Sequence, residues 1–164
     1  MVFDKLNHSK LFKVTKTFFN NEYHEKVSEN TRDTWNGICY GVLQQILFCF
    51  PLSRRGSEPI WCTFILDTNS PFNYLSAETI EKLNIHFSKS SSSFLVSINN
   101  IETNVYSSRF EQRFEGVNIL GVEFLSCFDH DLIIKYRSRE CDAKIVPVSK
   151  WLRDDIKKNV KDDL

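Results

Sequence analysis

The feature that most constrains this chain is an apolar segment that runs directly into an acidic loop. Residues 60–66 read Ile-Trp-Cys-Thr-Phe-Ile-Leu, and residues 67–70, Asp-Thr-Asn-Ser, follow without a spacer. β-Branched and aromatic residues favour strands, and a segment with no charged position fits a strand that is buried on both faces. The sequence therefore predicts a buried β-strand that delivers one carboxylate, Asp67, to a loop at the edge of the core.

Other short segments have a similar character and are separated by turn residues. Further strands are predicted at residues 38–50 (with or without a bend), 94–98, 101–106, 117–120, 132–136 and 144–148, with polar turns at 51–59 and 137–140. Asn99-Asn100 joins the second and third of these strands, because Asn tolerates the positive φ of a two-residue hairpin turn. Many short strands with few helices predict a mainly β fold, either a small barrel or a sandwich.

Helices are predicted at three places. Ser76 is a suitable N-cap for a short helix over residues 77–84, and a helical turn is expected over residues 123–128. Four aliphatic residues near the C-terminus recur every four positions: Leu152, Ile156, Val160 and Leu164. This stripe predicts a C-terminal helix over residues 150–164.

The length of 164 residues suits one domain with modest extensions. Residues 1–35 keep neither helical nor strand periodicity, which predicts a weakly structured N-terminal arm or some short helices. We therefore expect a β domain over residues 36–149, followed by the helix over residues 150–164.

The charge balance excludes several classes of partner. Lys plus Arg number 21 and Asp plus Glu number 21, so the net charge is zero. A neutral chain gives no electrostatic reason to bind nucleic acid or an anionic membrane, and it leaves self-association open. The first residues lack a signal-peptide pattern, and the most apolar run, residues 38–52, is too short to span a bilayer. We expect a soluble, cytoplasmic protein.

Metal and disulfide chemistry find little support in the sequence. The five cysteines are odd in number and no two have Cys-x-x-Cys spacing, which predicts reduced core thiols. Asp129-His130-Asp131 offers three potential ligands, but adjacent side chains on an extended chain diverge, so a polar turn is the preferred interpretation. His24-Glu25 lacks the second His of a zinc-protease helix. We therefore expect neither a metal nor a cofactor.

Two segments, in this order, resemble the retropepsin family of aspartic proteases. The apolar strand followed by residues 67–70 is similar to the family signature, an apolar strand that ends in Asp-Thr/Ser-Gly-Ala/Ser. Residues 117–125 resemble the paired motif, in which two apolar residues and a Gly enter a short helix. The hairpin at 94–106 and the strand at 132–136 also fit. The likeness covers about residues 38–148 and is to proteases of retroelements and their host-captured relatives.

The resemblance implies both a fold and a chemistry. The fold is a small closed acid-protease β barrel with two short helices, here followed by the C-terminal helix. An aspartic protease holds one water between two carboxyl groups, of which one is ionised and one is protonated. One acts as general base on the water while the other donates to the carbonyl oxygen. A retropepsin chain supplies one such Asp, here Asp67, so the resemblance implies a homodimer that acts on a peptide or protein.

The resemblance also implies roles for neighbouring residues. Thr68 belongs to the catalytic centre and links the two active-site loops by hydrogen bonds across the dimer. Asn69 and Ser70 complete the active-site loop. The supporting motif is Ile119-Leu120-Gly121, which packs beneath the loop.

The sequence departs from the family pattern at two places. Family members have Gly where Asn69 stands, and the Asn side chain projects toward the position of the substrate backbone. The Gly-rich flap that closes over substrate is also missing, since no Gly occurs from Ser57 to Glu115. The flap is then either shortened to residues 86–93 or formed by the hairpin at 94–106 with Asn99-Asn100 at its tip.

Three functions remain open from the sequence. The first is a retropepsin-like domain whose catalysis is weak or lost and which serves dimerisation or the binding of a peptide or protein. The second is an active homodimeric aspartic endopeptidase that tolerates Asn69. The third is an unrelated small β binding module. The first accounts for both departures from the family pattern.

Overall fold

The structure is a computed structural model that describes residues 6–28, 34–87, 92–110, 114–126 and 132–144. Within these residues the fold is mainly β. The strands are β1 Thr34–Tyr40, β2 Gln45–Arg54, β3 Ile60–Leu66, β4 Asn73–Leu75, β5 Phe94–Ile98, β6 Ile101–Ser107, β7 Ile119–Leu120, β8 Ile133–Lys135 and β9 Glu140–Lys144. The helices are α1 His8–Phe19, α2 Ala77–Lys82 and α3 Val122–Leu125, with a 3-10 turn at Ser108–Phe110.

The strands form one nine-stranded sheet in the order β3-β7-β4-β6-β5-β2-β1-β9-β8, and β2 also pairs with β3. The long strand β2 makes this possible, because its first residues pair with β1 and its last residues pair with β5. Along its other edge β2 pairs antiparallel with β3, with Leu47 opposite Ile65 and Leu52 opposite Ile60. Strand β3 in turn pairs parallel with β7. A closed barrel remains a prediction.

Strand β3 confirms the expectation of burial on both faces, since all seven of its residues are buried. Aromatic rings fill the core around it. The fully buried rings include Phe48, Phe50, Phe64 and Phe124. Each contributes on the order of 1.5–3 kcal/mol through the apolar surface that it removes from water. These phenylalanines therefore form much of the core that packs around β3, the strand that precedes Asp67.

The N-terminal part of the chain forms helix α1, which packs against β3. Helix α1 is capped by the side chain of Asn7, which accepts from the Lys10 amide, and it buries Leu11 and Val14. The Thr15 and Thr63 hydroxyl oxygens lie 2.6 Å apart, which ties the helix to β3. Phe12 and Phe18 are exposed on the same helix, so its apolar residues do not lie on one face and the sequence shows no clear helical periodicity. The division of the chain into domains stays a prediction.

Residues 24–27 extend the contact of the N-terminal part with β3. The His24 amide donates to the Trp61 carbonyl at 2.8 Å, and the Trp61 amide donates to the Glu25 carbonyl at 2.9 Å. The Val27 amide donates to the Pro59 carbonyl at 3.0 Å. This backbone pairing covers the edge of β3 at its start, so the main-chain groups of Trp61 and the Pro59 carbonyl have partners there.

The interruption of the strand predicted over residues 38–50 is larger than the bend that the prediction allowed. The chain forms two strands there, joined by a turn over residues 41–44. Gly41 has φ +71° and Gln44 has φ +51°, and both values reverse the chain. The β-propensity of the flanking residues hid this turn. The predicted polar turn at 51–59 also begins too early, because Pro51 is paired with Trp61 inside β2.

The other predicted elements agree with the structure to differing degrees. Ser76 caps α2 by accepting from the Thr79 amide, and the hairpin over residues 94–106 has positive φ at Asn99 and Asn100, so both predictions are confirmed. The strand predicted over residues 144–148 instead lies earlier in the chain, because β9 spans Glu140–Lys144. The predicted C-terminal helix over 150–164 lies outside the described residues. No helix in the described ranges is long and apolar enough to cross a membrane.

Candidate active site

Asp67 stands where β3 leaves the sheet, and β7 holds it there. The Ile65 amide donates to the Asn118 carbonyl at 2.9 Å. The Asp67 amide donates to the Leu120 carbonyl at 3.0 Å. Ile119 and Leu120 are themselves buried, so β7 is a rigid support. The two sequence segments that carry the resemblance are therefore hydrogen-bonded neighbours.

The loop after Asp67 is folded back on itself by Ser70. The Ser70 amide donates to the Asp67 carbonyl at 3.1 Å, and its hydroxyl donates to the Phe72 carbonyl at 2.8 Å. Its carbonyl accepts from the Val122 amide at 2.8 Å, which joins the loop to the start of α3. Ser70 is fully buried, so its role here is to shape the loop.

Gly121 is the point of closest approach between the loop and the segment after β7. A Cβ at this position would lie 2.4 Å from the Ser70 carbonyl oxygen and 2.3 Å from that of Phe72. No side chain fits, because real Cβ contacts are longer. The Gly121 amide donates to Oδ1 of Asn73 at 2.9 Å. Glycine at position 121 is therefore required by close packing of backbone on backbone.

The carboxylate of Asp67 is half-buried and points toward its own loop. One of its oxygens accepts from the Asn69 amide at 2.9 Å. Thr68 and Asn69 are both exposed beside it. Asn69 is not among the residues with positive φ, so the backbone here does not require the conformational freedom of glycine. What distinguishes Asn69 from glycine at this site is its side chain.

Asp67 opens onto a cleft of about 370 Å³. Most of the described residues around it are apolar: Leu6, Leu43, Ile46, Ile65, Leu66, Phe114, Val117, Ile119 and Leu132 line it together with Gln44, Gln45, Asp67, Thr68 and Asn69. Asp67 is the one ionisable side chain among these described lining residues. A single carboxylate can serve as a base or as an acid in one step but not as both. The described lining residues of one chain therefore supply one of the two carboxyl groups that an aspartic protease uses.

A buried polar network lies behind the loop, and it was not predicted from the sequence. Asn118 is fully buried and donates to the Tyr23 hydroxyl at 2.7 Å and to the Thr63 carbonyl at 3.1 Å. Its Oδ1 accepts from the Ser76 amide at 2.9 Å. The only signal in the sequence is an Asn inside an apolar strand segment, where a buried amide must find partners.

Asn73 completes the support on the other side of Gly121. Besides accepting from the Gly121 amide, it donates to the Thr103 hydroxyl at 3.0 Å and to the Asn104 carbonyl at 3.1 Å. It therefore links the active-site loop to β6. Nothing in the local sequence distinguishes Asn73 from an exposed loop residue.

The buried groups of this network are held neutral. Burial raises the pKa of the Tyr23 hydroxyl well above its ordinary value. The Cys62 sulfur accepts from the Asn118 side chain at 3.2 Å, and burial likewise raises the pKa of this thiol, with Cys49 adding to the effect. A neutral thiol is a poor nucleophile, so Cys62 is a core residue. Four free cysteines are buried among the described residues: Cys39, Cys49, Cys62 and Cys141.

The hairpin of β5 and β6 is part of the sheet and not a flap. Its strands pair with β2 and β4, and the Asn99 amide donates to the Pro51 carbonyl at 2.8 Å. None of its described residues lines the Asp67 cleft. The alternative that made residues 94–106 the flap is therefore wrong, because this hairpin is fixed by main-chain pairing on both sides. The other candidate, residues 86–93, lies partly outside the described residues.

The described part of the chain holds no group of three His, Cys, Asp or Glu side chains that converge as metal ligands. Asp129-His130-Asp131 lies outside the described residues. His24 is engaged elsewhere, with its Nε2 2.9 Å from the Thr79 hydroxyl.

Comparison of the chain with known protein families finds no match, and comparison with curated proteins finds none either. Among solved structures, the chain is similar to the crystal structure of a retropepsin-like aspartic protease from Rickettsia conorii. The two chains are 14% identical, the match covers 73% of this chain and 96% of that chain, and the TM-score is 0.45. A likeness at this level does not by itself define fold family or activity.

Proposed function

We propose that this chain is a retropepsin-like domain that pairs with a second copy and binds peptides in the Asp67 cleft, with hydrolysis weak or lost. The observation that carries the proposal is the position of Asp67. Its carboxylate follows a fully buried strand, on a loop held by Gly121, and opens into a cleft whose other described residues are uncharged and largely apolar. Concave apolar sites with a few placed polar groups are typical of ligand sites.

Asn69 is the reason for weak hydrolysis in this proposal. Its side chain is exposed at the cleft, next to the carboxylate whose oxygen accepts from its amide. A ligand backbone that approaches Asp67 meets this side chain, whereas glycine would leave the approach open. Displacing the reacting atoms by about 1 Å costs on the order of a hundredfold in rate.

Pairing of two chains would supply the second carboxyl group that an aspartic protease needs. A second copy related by a two-fold axis brings its own Asp67 to the first and completes the pair. The exposed Thr68 is then available to bridge the two loops. The proposal includes closure of the strand pairings into a barrel, and a reducing, cytoplasmic location suits the four free buried thiols.

A second candidate, an active aspartic endopeptidase, is favoured by one observation. The loop is hydrogen-bonded as a compact unit, and Asn69 adopts its place without positive φ. The backbone therefore does not prevent Asp67 from meeting its counterpart.

Cleavage of an unstructured protein such as reduced casein separates the two candidates. We expect the full chain, at pH 4 to 7, to cleave at nearly the rate of the Asp67→Asn variant. General acid–base catalysis contributes about a hundredfold or more. A wild-type rate that exceeds Asp67→Asn by that factor would establish the endopeptidase and overturn weak catalysis.

Replacing Asn69 tests its assigned role. We expect Asn69→Gly to cleave casein faster than wild type, and the gain to disappear in the double variant with Asp67→Asn. Asn69→Ala serves as a control that shortens the side chain without adding backbone freedom, and it should recover part of the gain. If neither variant gains activity, the side chain of Asn69 is not what limits hydrolysis.

A further inference from the structure

The turn between β1 and β2 reaches the Asp67 cleft because of strand register. Leu47 lies opposite Ile65 in the antiparallel pair of β2 and β3. The residues that precede Leu47 therefore run past the end of β3, where Asp67 stands. Leu43, Gln44 and Ile46 accordingly line the cleft. This wall comes from a segment that precedes the strand–Asp unit in the sequence.

Gln44 carries two unfavourable features at this wall. Its φ of +51° lies in the left-handed region, which costs a residue with a side chain about 1–2 kcal/mol. Its side-chain oxygen, Oε1, is covered, and among the described residues it accepts no hydrogen bond. A buried acceptor without a donor is destabilising, and strained residues concentrate at functional sites. The cleft thus has an acceptor that an incoming donor can satisfy.

The surroundings define the donor. Apart from Asp67, the described lining residues are uncharged and most of them are aliphatic or aromatic, so a charged donor would lose much of its hydration there. An ammonium group would also be drawn to Asp67 and not to Gln44. A neutral N–H next to an apolar group fits both features, and a peptide main chain carries such an N–H beside every apolar side chain.

We propose that Gln44 is a recognition residue of the cleft, whose carboxamide oxygen accepts a main-chain N–H of a bound peptide while an adjacent apolar side chain of that peptide packs on the wall. The inference rests on the peptide-binding role proposed above. The oxygen is covered in the free chain, so the Gln44 side chain rotates when the peptide enters. Side-chain rotation on binding is common and fast. Leu43, 64% exposed at the mouth, then lies over the peptide.

The test measures peptide affinity by fluorescence anisotropy with the full chain. The probes are fluorescein-labelled octapeptides of alanine whose two central residues are Leu, Phe, Ile or Val. We expect Gln44→Met, which keeps the length of the side chain but removes the acceptor, to weaken binding about tenfold. Gln44→Ala is a second variant with the same expected direction. Val42→Ser, a change at the 84% exposed neighbour on the same turn, should leave the affinity within about twofold.

Peptides methylated at one main-chain nitrogen at a time identify the bond. One N-methylation should weaken binding to wild type about tenfold but change binding to Gln44→Met less than twofold, because the two changes remove the same bond. If peptides bind wild type and Gln44→Met equally, or if each N-methylation affects both proteins equally, the proposed role of Gln44 is contradicted. Peptide binding in the cleft would still stand. If no peptide of the set binds wild type, peptide binding itself fails and this inference fails with it.

A second readout needs no ligand. Because no described residue donates to Oε1 of Gln44, removal of this oxygen should leave the thermal midpoint of Gln44→Met unchanged or raised. A midpoint lowered by several degrees would mean that the oxygen is already satisfied, and this contradicts the inference.

Discussion

At the scale of single residues, Gly121 shows how the active-site loop is held. Gly121→Ala forces a Cβ against the carbonyl oxygens of Ser70 and Phe72, at 2.4 and 2.3 Å. We expect the free energy of unfolding to fall by about 2–3 kcal/mol, as in overpacked cores, when measured by urea denaturation. Gly56→Ala is the control, since Gly56 has φ +79° but open space around it. It should cost only about 1 kcal/mol, and equal losses in both variants would contradict the close-contact explanation.

Asn118 is the residue on which the buried network depends. Asn118→Leu keeps the approximate volume but removes the acceptor for the Ser76 amide and the donor to Tyr23 and Thr63. Several buried polar groups then lose their partner, so we expect a loss of about 3 kcal/mol in the free energy of unfolding. Asn104→Leu, at an exposed position of β6, should change stability by no more than about 0.5 kcal/mol. Similar losses in the free energy of unfolding for the two substitutions would contradict a stabilising role of the network.

At the scale of elements, the segment after α1 is bound to α2 through His24. The His24 ring stacks on Tyr23 with centroids 3.9 Å apart, and its Nε2 lies 2.9 Å from the Thr79 hydroxyl. Burial lowers the pKa of His24 to about 4, and the nearby His8 and Lys82 act in the same direction. The N-terminal segment therefore docks with a neutral histidine.

This docking predicts a specific dependence of stability on pH. The unfolded chain binds a proton at His24 near pH 6.5, whereas the folded chain binds it only near pH 4. Unfolding therefore takes up a proton between these values, and stability falls as the pH falls from about 6.5 to 4. We expect urea denaturation to show a shallower decline for His24→Gln than for wild type. Carboxylates titrate in both proteins and cancel in the difference, so parallel declines would contradict the lowered pKa of His24.

At the scale of the whole molecule, the proposed dimer depends on the exposed hydroxyl of Thr68. Thr68→Val removes the hydroxyl at nearly constant shape, and in a symmetric pair this removes two equivalent hydrogen bonds. We expect the dimer dissociation constant to rise about tenfold in sedimentation equilibrium, with the stability of the single chain little changed. Thr68→Ser keeps the hydroxyl and should dimerise like wild type. A wild-type chain that stays monomeric at high concentration would remove the basis for a two-fold active site.

The parts of this protein that follow from the sequence alone are those with local causes. The buried strand before Asp67, the Ser76 cap and the Asn99-Asn100 turn each depend on residue preferences within a few positions. The turn over residues 41–44 was predicted only as an optional bend for a related reason, since strand formers on both sides outweigh one Gly. Local preference sets a strand or a turn only where no competing preference is close by.

Tertiary structure alone decided how the candidate site is built. The contact of Gly121 with Ser70 and Phe72 and the partners of Asn118 involve residues about 40 to 95 positions apart. The register of β2 on β3 brings Gln44 to the Asp67 cleft, and the packing of α1 covers the outer face of β3. The position of Asp67 directly after a buried strand can be predicted from its neighbours in the sequence. What surrounds its carboxylate depends on strand pairing between distant segments, which no local pattern specifies.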